Sequence, residues 1–246
     1  MKIIITGTGG SVGPHVVNKF SNEGWTVYPW NRNVVNPGNP KAVEEFVLGI
    51  QPDAIIHLAT GSHNWTELLS ALSKKYGARF LYTSSVSVWS DSAPAPLTVD
   101  SAVDGDSEYA KYKYEGELRS LKVNPDAYIA RLGWQISQDK TVNSMTRYLN
   151  ELMEREGVIH CSTSWFPSCS FVEDTAAALY NIITDQNPGL FLVNSNENLN
   201  FYDIVEMVLR EFPESVPGGK TDTSNPFSMD NRMFDARVKI RKFLRV

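Results

Sequence analysis

The segment KIIITGTGGSVG, residues 2–13, constrains the fold more than any other part of this chain. A short β-branched run stopped by glycines reads as a buried strand. The following SVGPHVVNKFSNEG has helical spacing and runs to Gly24, a residue type suited to closing a helix. Strand, glycine turn and helix therefore follow one another without a linker. Gly7, Gly10 and Gly13 recur at three-residue spacing. Glycines so placed permit a tight turn, let the backbone approach a pyrophosphate, and pack the helix close to the strand. Ser11 and Val12 lie between them at the helix N-terminus, where free N–H groups and the positive end of the helix dipole favour an anion. These residues are expected to cradle the phosphates of a dinucleotide.

Alternation continues downstream. WTVYPW reads as a second strand, NPKAVEEFVLGI as a helix with Asn39 as N-cap and Pro40 in its first position, and DAIIHLAT as a third strand. WTELLSALSKKYG is a helix, RFLYTSS a fourth strand, and DAYIARLGW a fifth, after a helix containing Tyr109. The strands are continuously apolar, as a parallel sheet covered on both faces requires. Past Trp134 the regularity loosens. NSMTRYLNELMEREG, VEDTAAALYNIITD and FYDIVEMVLREF read as helices and LFLVN as a strand, whereas PGGKTDTSNPFSMDNR is rich in loop-forming residues. The expectation is an α/β chain: a Rossmann-type, doubly wound parallel sheet over residues 1–135, then a small, mostly helical substrate lobe over 136–246. Parts of 165–200 are expected to return to the first domain.

The second strand ends YPWNRN, with no acidic residue for a ribose 2′-hydroxyl. Asn31 and Arg32 stand there instead, and a guanidinium suits a 2′-phosphate, which favours NADP over NAD. Leu58, Ala59 and Thr60, closing the third strand, complete the expected cofactor contacts.

Composition narrows the class. The chain has 246 residues, 42% of them apolar and 21% charged, as in an ordinary globular protein. A net charge of −5 argues against a nucleic-acid or anionic-membrane binder. No apolar run approaches the roughly 20 residues of a membrane span, and the start MKIIITGTGG is too short an apolar stretch for a signal peptide. Cys161 and Cys169 lack metal-ligand spacing. They suit a reducing cytosol, so a cytoplasmic protein without a metal is expected.

The stretch SEYAKYKYEGE, residues 107–117, holds a candidate reacting pair. Tyr109 and Lys113 are four apart and share a helix face. An ammonium near a phenol lowers its pKa and makes it a usable acid or base. The same residues would also serve as a solvated face, since Lys111 with Glu115 and Lys113 with Glu117 are spaced for ion pairs. Tyr112 and Tyr114 fit neither spacing and are expected to be packing or surface residues.

Taken in order, the glycine pattern, PDAIIHLAT, YTSSVSVW, YAKYKYEGE, YIARLG and FVEDTAAAL resemble the extended short-chain dehydrogenases/reductases of the NAD-dependent epimerase/dehydratase superfamily. Within them the chain is most similar to the dTDP-4-dehydrorhamnose reductase type. GLFLVNSNENLNFYDIVEMV and NRMFDARVKIRKF resemble that type's closing segments, so the likeness spans nearly the whole chain. It implies that Tyr109 exchanges a proton with a substrate oxygen, and that Lys113 lowers its pKa and holds the nicotinamide ribose. Ser85, four residues before Trp89, would orient the same oxygen. Gly116 and Glu117 match the family's pair after the lysine. The implied activity is reduction of a keto group on a nucleotide-activated sugar. The alternatives are an NAD-dependent epimerase/dehydratase and a catalytically idle NADP-binding regulatory protein, and the family also admits a homodimer. The chain departs from the pattern in being short, above all between HLAT and YTSS. Asn36 stands where an acidic residue commonly meets adenine, and Ser137 to Ser170 match no specificity pattern.

Overall fold

The computed structural model describes residues 1–138 and 144–244. Strands β1 (Lys2–Thr6), β2 (Thr26–Pro29), β3 (Ala54–His57), β4 (Arg79–Ser85) and β5 (Tyr128–Leu132) alternate with helices α1 (Gly13–Asn22), α2 (Pro40–Ile50), α3 (His63–Tyr76) and α4 (Glu108–Val123). Then come β6 (Trp134–Ile136), α5 (Met145–Glu156), β7 (Ile159–His160), β8 (Ser164–Phe166), β9 (Cys169–Phe171) and α6 (Val172–Asp185). The chain closes with β10 (Gly189–Val193), α7 (Phe201–Glu211), β11 (Thr221–Asp222) and β12 (Ser228–Asp230). The expected start of the α5 helix, Asn143, lies outside the described residues; Ser144 caps it.

One six-stranded sheet has the order β10-β5-β4-β3-β1-β2, every pair parallel. This is the expected Rossmann-type, doubly wound α/β fold. Alternation along each strand sends side chains to opposite faces. Ile3 and Ile5 pack with Val16 and Phe20 of α1 and Leu179 and Ile183 of α6. Ile4 between them packs with Val43 and Val47 of α2 and Trp65 and Leu69 of α3. Both faces are covered, which is why these strands carry no polar alternation.

Local chemistry fixes the helix ends. The Asn39 side chain accepts from Ala42 N at 3.2 Å, with Pro40 opening α2. At the end of α1, Gly24 N donates to Ser21 O and Trp25 N to Phe20 O, both at 3.0 Å. These are the two bonds of a Schellman closure.

The remainder has its own core, in which Met145, Leu149 and Leu152 of α5 meet Ile204, Val205 and Val208 of α7. Around it lie three short parallel ladders, β6–β9, β7–β11 and β8–β12. Ladders of two or three residues need outside support, and buried amides supply it. Asn194 Oδ1 accepts from the backbone N–H groups of Cys169 and Asn196, each at 3.0 Å. Asn196 Nδ2 donates to Pro167 O and Leu199 O, each at 2.8 Å. The tail read from sequence as loop-rich contains β11 and β12, whose partners lie some sixty residues upstream. The tail then crosses back, with Leu97 N donating to Arg232 O at 3.1 Å and Phe234 N to Leu97 O at 2.9 Å. Among the described residues no helix is long and apolar enough to cross a membrane.

Candidate active site

The strand order reverses between β1 and β3. In an open parallel sheet a crevice forms at the carboxyl ends of strands flanking such a reversal. A cavity of about 910 Å³ opens there, within the roughly 300–1,000 Å³ of ordinary ligand sites. Its glycine-turn end is built from backbone. Gly7 takes φ +72°, and a Cβ on it would stand 2.7 Å from Ala59 N. A Cβ on Gly13 would run into the Gly7 carbonyl oxygen and the Thr8 backbone. Val12, the N-cap of α1, supplies no capping side chain, so the first-turn N–H groups other than that missing at Pro14 remain for a ligand. Gly7, Gly10, Ser11, Val12 and Gly13 all line the cavity.

Leu58, Ala59 and Thr60 form the facing wall, and a buried chain of polar groups fixes it. Ala59 N donates to Thr6 Oγ1 at 3.2 Å; that hydroxyl is 2.8 Å from His57 Nδ1, and His57 Nε2 is 3.0 Å from Thr66 Oγ1. Burial, with Lys113 and Arg32 nearby, pushes the His57 pKa down to about 3. The ring is therefore neutral and structural.

At the far end of β2, Arg32 lines the cavity, stacks over the Trp65 ring at 5.5 Å, and donates from Nη2 to the Thr60 carbonyl. Asn31 is not on the wall; its side chain accepts from Asn33 N at 2.9 Å and shapes the turn. Asn36 likewise accepts from Gly38 N at 2.8 Å. The wall position next to Arg32 belongs to Trp30, a residue the sequence reading passed over.

The opposite end is made of side chains. Ser85 closes β4, and its Oγ accepts from Ser87 N and donates to Ser87 Oγ, both at 3.1 Å. Ser107 caps α4 by accepting from Ala110 N at 3.1 Å, so Tyr109 falls in the first turn with Lys113 one turn on. All three line the same cavity. Lys113 is 4% exposed and donates to Thr83 O at 2.9 Å. Burial pulls its pKa down to about 8, against the pull of Glu117. Tyr109 is 49% exposed. Burial of its hydroxyl end pushes the phenol above its ordinary value, while the Ser85 hydroxyl draws it back. The lowered phenol pKa expected from Lys113 is not found. The Lys113 ammonium is 5.9 Å from the Tyr109 ring centre and occupied with Thr83 O.

Three features of the sequence pattern acquire a packing reason. Arg131 on β5 makes a two-pronged buried pair with Glu117 on α4, at 2.9 and 2.7 Å. Its guanidinium lies 4.5 Å from the Trp89 ring centre. Glu117 and Trp89 thus lock α4 and the post-β4 loop to the sheet, rather than reaching the cavity. A Cβ on Gly116 would collide with the Tyr82 phenol, so glycine lets α4 lie against β4. Tyr112 stays off the cavity, as a packing residue would, and its Oη also accepts from Gly61 N at 2.9 Å and donates to Gly61 O at 3.0 Å.

Sequence reasoning also missed Thr83, Ser84, Gly133, Trp134 and Gln135 on the wall. Ser84 Oγ and Gln135 Oε1 are buried without hydrogen-bond partners among the described residues. Open first-turn amides, a close-packed glycine turn, a guanidinium and a buried ammonium along one cavity fit a dinucleotide.

A model of the family described as RmlD substrate binding domain matches residues 1–65 and 62–237. The spore coat polysaccharide biosynthesis protein SpsK of Bacillus subtilis (strain 168) is 19% identical over 226 residues, covering 85% of this chain and 79% of that protein. A dTDP-4-dehydrorhamnose reductase structure from Clostridium acetobutylicum superposes with TM-score 0.79 at 21% identity, covering 96% of this chain and 91% of that one. One from Bacillus anthracis, in complex with NADP, superposes with TM-score 0.81 at 17% identity, covering 98% and 95%. At such identities the structural likeness is one of fold.

Proposed function

The chain belongs to the RmlD substrate-binding-domain family, and from that premise we propose that it is an NADP(H)-dependent oxidoreductase reducing a keto group on a nucleotide-activated sugar. The observation that carries the reading is that Ser85, Tyr109 and Lys113 line the same cavity as the glycine turn. Gly7, Gly10, Ser11, Val12 and Gly13 would hold the pyrophosphate, and Arg32 the 2′-phosphate. A nicotinamide cofactor bound there supplies the hydride. The residues after 135, with Trp134 and Gln135 at the boundary, would receive the sugar.

Tyr109 would hand its phenolic proton to the substrate oxygen as negative charge develops on it. Its raised pKa keeps the phenol protonated at neutral pH, the form that reduction consumes. Ser85, whose hydroxyl donates to Ser87 Oγ at 3.1 Å, would turn that hydrogen bond to the same oxygen. The Lys113 ammonium spends one donor on Thr83 O, leaving others for a ribose. With a pKa of about 8 it stays mostly cationic at pH 7.

The test is consumption of NADPH with a panel of 4-keto nucleotide sugars. Stoichiometric oxidation with one of them is expected. Tight NADPH binding without turnover across the panel would contradict the enzyme reading and favour an idle nucleotide-binding protein.

A further inference from the structure

We propose that Tyr112 is a positioning residue for cofactor binding, because its phenol locks the peptide between Thr60 and Gly61 that Arg32 grips from the other side. The inference rests on the reading of the cavity as an NADP(H) site. The Gly61 N–H and the Thr60 C=O belong to one planar unit and point in opposite directions. Tyr112 Oη accepts from that N–H at 2.9 Å, and Arg32 Nη2 donates to that C=O. Tyr112 also donates to Gly61 O at 3.0 Å, so both peptides flanking Gly61 are fixed by one hydroxyl.

Gly61 needs this help. Glycine leaves the peptide free to turn, and a side chain could not stiffen it, since a Cβ would stand 2.9 Å from the Trp65 ring. Tyr112 is itself held. The His63 ring lies 4.8 Å from its ring, and His63 Nε2 is 3.0 Å from the Tyr112 carbonyl oxygen. Thr60 lines the cavity whereas Gly61 and Tyr112 do not, so Tyr112 acts through the loop and not on a ligand. It also directly precedes Lys113, joining the adenosine end of the cavity to the catalytic helix. When Arg32 turns to a 2′-phosphate it must share or release Thr60 O, and Tyr112 is then left as the side chain on the Thr60–Gly61 peptide. Its contribution is therefore larger for NADPH than for NADH.

The experiment titrates NADPH and NADH calorimetrically into the wild-type protein and Tyr112→Phe. The variant should weaken NADPH binding roughly three- to tenfold, the range of one ordinary hydrogen bond, and NADH binding less. Turnover at saturating NADPH should stay within about twofold of wild type, since no transition-state contact is removed. In an Arg32→Ala background the difference between the two cofactors should vanish. Failure of the wild-type protein to bind NADPH overturns the cofactor reading itself. Equal NADPH affinity in wild type and variant, with or without a lower melting temperature, overturns the positioning role alone. Loss of turnover at saturating cofactor overturns it in favour of a catalytic one.

Discussion

The two ends of the cavity are built by different means. At the glycine-turn end the wall is backbone: a Cβ on Gly7 or Gly13 would collide, and α1 begins without a capping side chain. At the reacting end three side chains from β4 and α4 converge, and their helix is anchored by the buried Arg131–Glu117 pair. A backbone cradle is written in nearly consecutive residues, with one long-range constraint where Ala59 approaches Gly7, and offers affinity. A side-chain constellation depends on how a helix seats against a sheet, and offers a proton and an oriented hydroxyl. Damage at the glycine turn should therefore appear in cofactor affinity, damage at Ser85 or Tyr109 in turnover, and damage at Lys113 in both.

The largest expected effect is Tyr109→Phe, which removes one hydroxyl and keeps the ring. Steady-state turnover should fall by roughly two to four orders of magnitude, the contribution of a positioned general acid. An unchanged rate would erase the distinction between the ends. Next is Glu117→Gln, which leaves Arg131 buried and unpaired. Denaturant unfolding should register a loss of about 3–5 kcal/mol, and a loss below about 1 kcal/mol would mean that the pair does not anchor α4.

Arg32→Ala should weaken NADPH binding about ten- to a hundredfold, as loss of charge-assisted bonds would, and leave NADH binding nearly unchanged. Equal losses for both cofactors would remove the guanidinium from 2′-phosphate recognition.

Lys113→Met separates stability from function by pH. The folded pKa of about 8 lies below the ordinary 10.5, so the fold disfavours the cation. That penalty is complete below about pH 8 and is relieved as pH rises toward 10.5. Wild-type stability should thus gain from this group across that window, and the variant should lack the gain. At pH 7 the variant should be more stable, on the order of 1–2 kcal/mol after loss of the Thr83 bond. It should bind NADPH more weakly, and wild-type binding should weaken above about pH 8 as the ammonium is lost. A less stable variant would mean that the buried charge is compensated.

Sequence carried the backbone end almost whole. Gly7, Gly10 and Gly13, the β-branched strand before them and the helix after them are contiguous, so their meaning survives without tertiary knowledge. Ser85, Tyr109 and Lys113 were legible through spacing and family likeness, but their electrostatics were not. Spacing puts Tyr109 and Lys113 on one helix face, yet only the seating of α4 against Thr83 draws the ammonium away from the phenol. The wall residues Trp30, Gln135 and Thr83 carry no local signal. Nor does Tyr112, whose partner Gly61 lies fifty-one residues away. The ladders β7–β11 and β8–β12 pair segments of two or three residues across some sixty. No periodicity is detectable in so short a strand.

The division between the ends is tested most directly by titrating NADPH into the wild-type protein, Tyr109→Phe and Gly13→Ala side by side. Tyr109→Phe should bind as the wild type does. Gly13→Ala, whose Cβ runs into the Gly7 carbonyl and the Thr8 backbone, should lose binding while retaining its fold by circular dichroism. Full affinity in Gly13→Ala, or loss of binding in Tyr109→Phe, would contradict that division.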